Sequence, residues 1–325
     1  MKRTLCTLAA AATMAMVAGN ANATIRMKLA HNLAADHPTS QALQHFAEEV
    51  AEKTDGEVKI KLFLNGVLGS EREVLEQLQN GAVDMTRVGA SSLENFNPVY
   101  QAFTLPYLFE SEEAFYQVME GPVADKIYQA SADSGFVGLT FFDGGARSFY
   151  TKEKPINHPD DLKGQKIRVM NSHTSIRMVE LMGGTPTPLA YGEIYTALQQ
   201  GVIDGAENNP TALTLGRHGE VVKYYSFDEH GRIPDFLVIS NKSLEKLSDE
   251  QEAIVREAAR NATAFHKEVW QAAVAKAVVE AEEKLNVQIS YPEKDAFRKA
   301  VMPLYDEYRK DPAIDTLVGE ILAAQ

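Results

Sequence analysis

Two arginines and two asparagines stand where this chain could grip a carboxylate. Arg147 follows Gly144, Gly145 and Ala146 in GGARSFYT, and small residues there let a backbone or a ligand approach closely. Arg168 lies between Ile167 and Val169 in KIRVMNS, a run that alternates as a short β-strand does, with Asn171 where that strand turns toward the next helix. A guanidinium held at a strand end offers five donors in a rigid plane. They match the two oxygens of a carboxylate, as a lysine's point charge does not. Asn208 sits in DGAENNP, after a predicted strand and before Pro210, where a turn role is equally open. Tyr191, in PLAYGEIY, is either a core aromatic or a cleft wall.

Polar residues in the first third could face such a clamp. His31 and Asn32 close the first predicted strand, and open α/β sheets bind ligands at strand carboxyl ends. Glu71 begins a predicted helix after LGS, a place where the helix dipole favours an acid with no ligand involved. Ser91 and the adjacent Ser92 follow the third strand. Enzyme signatures are missing: there is no GxSxG elbow, GxxxxGK[ST] loop, GxGxxG, HExxH or CxxC. His31 and His37 form the closest histidine pair and lack a third obvious ligand, so a metal is not expected.

The elements that must position these residues read as α/β. IRMKLAH from Ile25 and VKIKLFL from Val58 alternate as strands, and Val83–Val88 makes a third. Between them, Leu43, Phe46, Ala47 and Val50 fall at helical spacing between Pro38 and Gly56, and Glu71–Gln79 makes a second helix ending at Asn80 and Gly81. This βαβαβ order predicts a mostly parallel sheet with helices on its faces. A second set begins near Arg147, with strands at Lys166–Met170, Gly184–Pro188 and Val202–Glu207. Ser248–Leu285 holds no Gly or Pro, opens on a Ser248 and Gln251 capping box, and spaces Ile254, Ala258, Phe265 and Val269 helically. Continuous, it would span about 57 Å and bridge two lobes; two abutting helices are the alternative.

The first 23 residues, MKRTLCTLAAAATMAMVAGNANA, read as a secretory signal. Lys2 and Arg3 precede an apolar core from Leu5 to about Val17, and an Ala-Asn-Ala cleavage signature ends at Ala23. Cys6, the only cysteine, lies inside that signal, so disulfides and thiol catalysis are not expected of the mature chain. The formal net charge is −13 for all 325 residues and becomes −15 without the two signal cations. Nucleic acid is thereby a poor partner. An anionic ligand is not excluded, because outer carboxylates are screened beyond about 8–10 Å while buried arginines set the local field.

Over nearly its whole mature length the chain resembles the solute-binding proteins of TRAP transporters, the DctP type. The KIRV, TPTPLAYGEIYTALQQG and DGAENNP runs are the most specific parts of the likeness. The resemblance implies a two-lobed periplasmic-binding-protein-like fold, its ligand cleft between the lobes and a long helix bridging them. Lobe I would comprise 24–146 plus about 235–273, and lobe II 147–234 plus about 274–325. It further implies that Arg168 is the principal carboxylate partner and Arg147 a second, that Asn208 contacts the carboxylate or a neighbouring hydroxyl, and that Tyr191 lines the cleft. Asn171 would complete that wall. His31, Asn32, Glu71 and Ser91 would read the hydroxyls of a sugar acid from the first lobe. The implied function is a periplasmic receptor, a soluble monomer with no cofactor of its own, that hands an organic anion to small and large membrane subunits. A hexuronate such as glucuronate or galacturonate is the expected ligand, with a C4-dicarboxylate as alternative. A secreted sugar-acid hydrolase or lyase using His31 or His173 as base is the rival.

Overall fold

A computed structural model describes residues 23–325; the predicted signal up to residue 22 lies outside them. In chain order the first lobe opens β1 (Ile25–Ala30), α1 (Pro38–Lys53), β2 (Val58–Phe63), α2 (Glu71–Asn80), β3 (Met85–Gly89), α3 (Ala90–Leu93), α4 (Glu112–Met119) and α5 (Pro122–Gln129). The long strand β4 (Phe136–Thr151) leads into the second lobe: β5 (Lys166–Val169), α6 (His173–Leu181), β6 (Thr185–Pro188), α7 (Ile194–Gln200), β7 (Gly205–Asn208) and α8 (Thr211–Thr214). A second long strand, β8 (Tyr224–Ser240), returns to the first lobe. There follow α9 (Asn241–Leu244), α10 (Asp249–Glu283), β9 (Gln288–Ser290), α11 (Asp295–Tyr308) and α12 (Pro312–Ala323).

Among the described residues one sheet of nine strands runs β2-β1-β3-β8-β4-β7-β5-β6, with β9 beside β8. β1 is parallel to β2 and β3, and β5 is parallel to β6 and β7. These two parallel groups match the predicted βαβ runs. The resemblance implies strands that cross between the lobes more than once, but the residue pattern did not locate the antiparallel pair, β4 with β8. Their register breaks between Asp143 and Ala146, a bulge that bends the paired strands. Before the break β4 pairs the end of β8, which also pairs β3; beyond it, β4 pairs the start of β8 and, on its other edge, β7. The break separates the β3 side of the sheet from the β7 side. Gly145 occupies it with φ of 71°, and a Cβ there would come within 3.0 Å of Trp270.

α10 runs unbroken for 35 residues, about 52 Å at 1.5 Å per residue. Its Ser248 side chain accepts from Gln251 and the Gln251 side chain caps in return, as the sequence predicted. The buried stripe is Val255, Ala258, Ala259, Ala262, Thr263, His266 and Trp270, then Ala277 and Ala281; only Ala258 of the predicted stripe lies on it. The alanines let α1 pack closely, joining Leu43, Phe46 and Val50 in one apolar core on the first lobe. Ala281 instead joins Tyr150, Leu198, Leu213 and Tyr225 in the core of the second. The helix therefore ties both lobes. α12 packs Ile314, Leu317, Val318 and Ile321 into the core shared with Val123, Ala124 and Ile127 of α5, whereas the Arg177–Glu307 ion pair ties α6 to α11. α12 thus sits against elements expected in the first lobe, and α11 against α6 of the second.

Candidate ligand-binding cleft

Between the lobes lies a cavity of about 810 Å³, within the 300–1,000 Å³ usual for small-molecule sites. Arg147, Arg168, Asn171, Tyr191 and Asn208 line it from the second lobe, and Asn32 and Glu71 from the first. Seven of the nine sequence candidates are thus brought together.

The second-lobe wall is built of donors. Arg168 sits on β5, 3% exposed, its Nε donating to the Leu189 carbonyl at 2.9 Å. That bond fixes the plane of the guanidinium, and among the described residues neither Nη has a protein partner. Burial pulls its pKa below the usual arginine range, although Glu207 and Tyr150 act in the opposite sense. Arg147 is arranged differently. Its Nε donates to Glu207 Oε2 at 2.6 Å, Nη2 to Glu207 Oε1 and O, and Nη1 to Asn208 Oδ1 at 2.9 Å, so one Nη1 hydrogen is left over. With Oδ1 accepting from Arg147 and from the Asn209 amide, Asn208 is left to offer its Nδ2 hydrogens. Around Arg147 and Asn208 the wall therefore presents donors. Such convergence suits a carboxylate, whose oxygens only accept.

Arg147 and Glu207 extend into a buried charge chain. His230 Nδ1 meets Asp228 Oδ2 at 2.8 Å and its Nε2 meets Glu207. Burial opposes the charge of His230, but Asp228 and Glu207 outweigh it and raise its pKa to about 9. For Glu207, burial favours the neutral acid, yet Arg147 and His230 hold the pKa down to about 2. Positive and negative groups alternate along this chain and balance.

The first-lobe wall has a residue the sequence reading missed. Arg87, on β3, lines the cavity, ion-paired to Glu71 at 3.3 Å and to Asp235 of β8. Glu71 also accepts from Asn32 Nδ2 at 3.1 Å and Ser92 Oγ at 2.6 Å. Arg87 was legible as the central residue of MTRVG, the same kind of strand placement as Arg168. Asn171 is exposed and its carbonyl accepts from Asn95 Nδ2 at 2.9 Å, so the two walls meet there.

Two candidates are corrected. His31 is 3% exposed and does not line the cavity; its Nδ1 accepts from the Leu33 amide, which folds the ring back beneath the strand end. Burial and Arg87 lower its pKa to about 3. Ser91 is fully buried, and the next residue around the helix, Ser92, takes the cleft-facing position. The neighbouring histidine on the cavity is His37. Its Nδ1 accepts from the Thr39 amide, which places the proton on Nε2. The indole of Trp270 lies against His37, ring centroids 5.8 Å apart, and completes this side of the cleft. His173 does not line the cavity, so neither base of the rival enzyme reading is placed for that work. Among the described residues no group of His, Cys, Asp and Glu could hold a metal, and no helix is long and apolar enough to cross a membrane.

A two-lobed α/β frame around a donor-lined cleft defines a solute receptor. Residues 29–311 match the family of bacterial extracellular solute-binding proteins, family 7, DctP, and the chain belongs to that family. Its members are binding receptors of TRAP transporters and not enzymes. They bind small organic anions and work with the membrane components of those transporters. Two solved relatives superimpose over nearly their full length. One is a TRAP periplasmic solute-binding protein from Anaerococcus prevotii with bound glucuronate, 38% identical, with a TM-score of 0.90, covering 93% of this chain and 98% of its own. Another, from Sulfitobacter sp. NAS-14.1 with bound β-D-galacturonate, is 36% identical, with a TM-score of 0.89, covering 92% and 99%. The uncharacterized protein YiiZ of Salmonella typhimurium is 41% identical over 99% of this chain and 97% of its own.

Proposed function

We propose that this chain captures a hexuronate, D-glucuronate or D-galacturonate, and delivers it to TRAP membrane subunits. One contrast between the walls carries the reading. On the second lobe Arg168 presents an unpaired fork; on the first, Arg87 is shared by two carboxylates. A ligand with an acid at one end and hydroxyls at the other complements both. The uronates bound by the two solved relatives support the same choice. Arg168 would hold the carboxylate bidentately, with Arg147 Nη1 and Asn208 Nδ2 adding donors. Asn32, Glu71, Ser92 and His37 would meet hydroxyls, and Tyr191 and Trp270 would flank the ring.

The lobes we propose are 24–146 with about 235–273, and 147–234 with the chain beyond about 274 as far as α11. Their boundaries fall at the register break between β4 and β8. Closure would be a hinge motion, driven by a ligand that touches both walls only when they are together. Signal cleavage after Ala23 would release a periplasmic monomer without affinity for nucleic acid.

Thermal unfolding against a ligand panel tests the reading. A ligand at 100 times its Kd adds about 2.7 kcal/mol, so both hexuronates should raise the Tm well beyond succinate, malate and neutral hexoses. A larger shift with succinate would make the chain a dicarboxylate receptor, and recovery of altered sugar acid would make it an enzyme.

A further inference from the structure

Asp235 stands on the first-lobe wall close to two glycines. A Cβ on Gly89, its β3 partner, would lie 3.3 Å from Asp235 Oδ1, and one on Gly144 would lie 3.6 Å from Oδ2. Gly89, Gly144 and Asp235 all line the cavity. The carboxylate is paired to Arg87 Nη2, while Glu71 holds Arg87 Nη1. One guanidinium therefore serves two carboxylates. Behind the lining, Glu207 answers Arg147, and Arg232 is shared by Asp143 and Glu112. Arg168 has no carboxylate partner on the second wall among the described residues, and the Asp235–Arg87–Glu71 group carries one negative charge in excess on the first.

We propose that Asp235 is a specificity-determining residue which, through this surplus negative charge, excludes acids carrying a second carboxylate at the far end. The chemical class rejected is the diacid series, from four-carbon dicarboxylates to the hexarates, which differ from hexuronates in having both chain ends oxidised. Like charges brought together in a desolvated cleft suppress the wrong partner. The same surplus favours hydroxyl groups, which can donate to it. Glu71 alone does not produce the effect, because Arg87 would cancel it. The second acid on the same guanidinium does.

This inference rests on the uronate reading, and its test separates the two. Calorimetry would give the ratio of Kd for a hexarate to Kd for a hexuronate in the wild type, Asp235→Asn and Asp235→Glu. Differences in shape between the acids are common to all three proteins and cancel in the comparison. Asp235→Asn should lower the ratio at least about tenfold, chiefly by tighter hexarate binding, and Asp235→Glu should keep it near the wild-type value. An unmoved ratio in Asp235→Asn, or equal weakening for both acids, overturns the proposal and leaves the uronate reading standing. Should Asp235→Asn not fold, Glu71→Gln removes the other charge on Arg87 and must lower the same ratio; no change there is equally fatal. A wild type that binds no hexuronate removes the uronate reading and this inference together.

Discussion

His230 Nε2 lies 3.3 Å from Glu207 Oε2, the oxygen that also accepts from Arg147 Nε. The imidazolium thus holds in place the carboxylate that orients one of the cleft arginines. Its pKa, raised to about 9 against Asp228 and Glu207, makes it a stabilising cation. That contribution is complete below the unfolded value near 6.5 and is lost as pH rises through about 9.

Stability should therefore peak near pH 6.5–7 and fall unequally on its two sides. Burial holds His31, His218 and His266 down to about 3, and His37 well below its ordinary value. These groups take up protons in the unfolded chain first, so each costs about 1.4 kcal/mol per pH unit as pH drops from about 6.5. On the alkaline side His230 alone of the histidines acts, giving a gentler decline to about pH 9. Denaturant melts from pH 4 to 10 check the asymmetry; His230→Gln should flatten the alkaline limb, and an unchanged limb would exclude His230 as its cause.

The two second-lobe arginines should behave oppositely in the ligand-free protein. Arg147→Met strands Glu207 as a buried, underpaired charge and should cost about 3–5 kcal/mol. Arg168→Met removes a buried cation whose fork has no protein partner, and should leave stability unchanged or raise it by about 1 kcal/mol. Equal losses in the two variants would mean that Arg168 is paired in solution.

Arg168→Lys keeps the charge and loses the fork. Hexuronate affinity should fall more than tenfold, with the unliganded melting curve little changed. Near-native affinity by calorimetry would take Arg168 out of the carboxylate clamp.

Trp270 is the only tryptophan in the chain and lines the cavity. Ligand titration should change its emission intensity or wavelength in proportion to occupancy, and Trp270→Phe should remove the signal. A saturating ligand with no spectral change would place the binding site elsewhere.

The parallel groups and the α10 cap were legible in sequence because each rests on local signals. Strand alternation around Arg168 and the Ser248 and Gln251 box are examples. The long strands were not legible. FFDGGARSFY and FDEHGRIPDF carry glycines, a proline and charges that read as loop, and only distant pairing across the bulge makes them β-structure. Arg87 carried a strand-placement signal in MTRVG, but its pairing with Asp235, 148 residues away, left no local mark. His31 and Ser91 failed by a single position: side-chain direction at a strand end or on a short helix changes with each residue, and Asn32 and Ser92 point where their neighbours do not. On α10 the buried stripe is set by alanines, whose small side chains give little periodic signal although they permit the closest packing.

β4, β8 and α10 each start in one lobe and finish in the other. No single cut in the chain can therefore release either half as a self-contained unit. A chimera that joined the first wall of one receptor to the second wall of another would need matched junctions in all three elements at once. Inheritance of binding preference in such an architecture runs through substitutions inside the cleft rather than through exchange of modules.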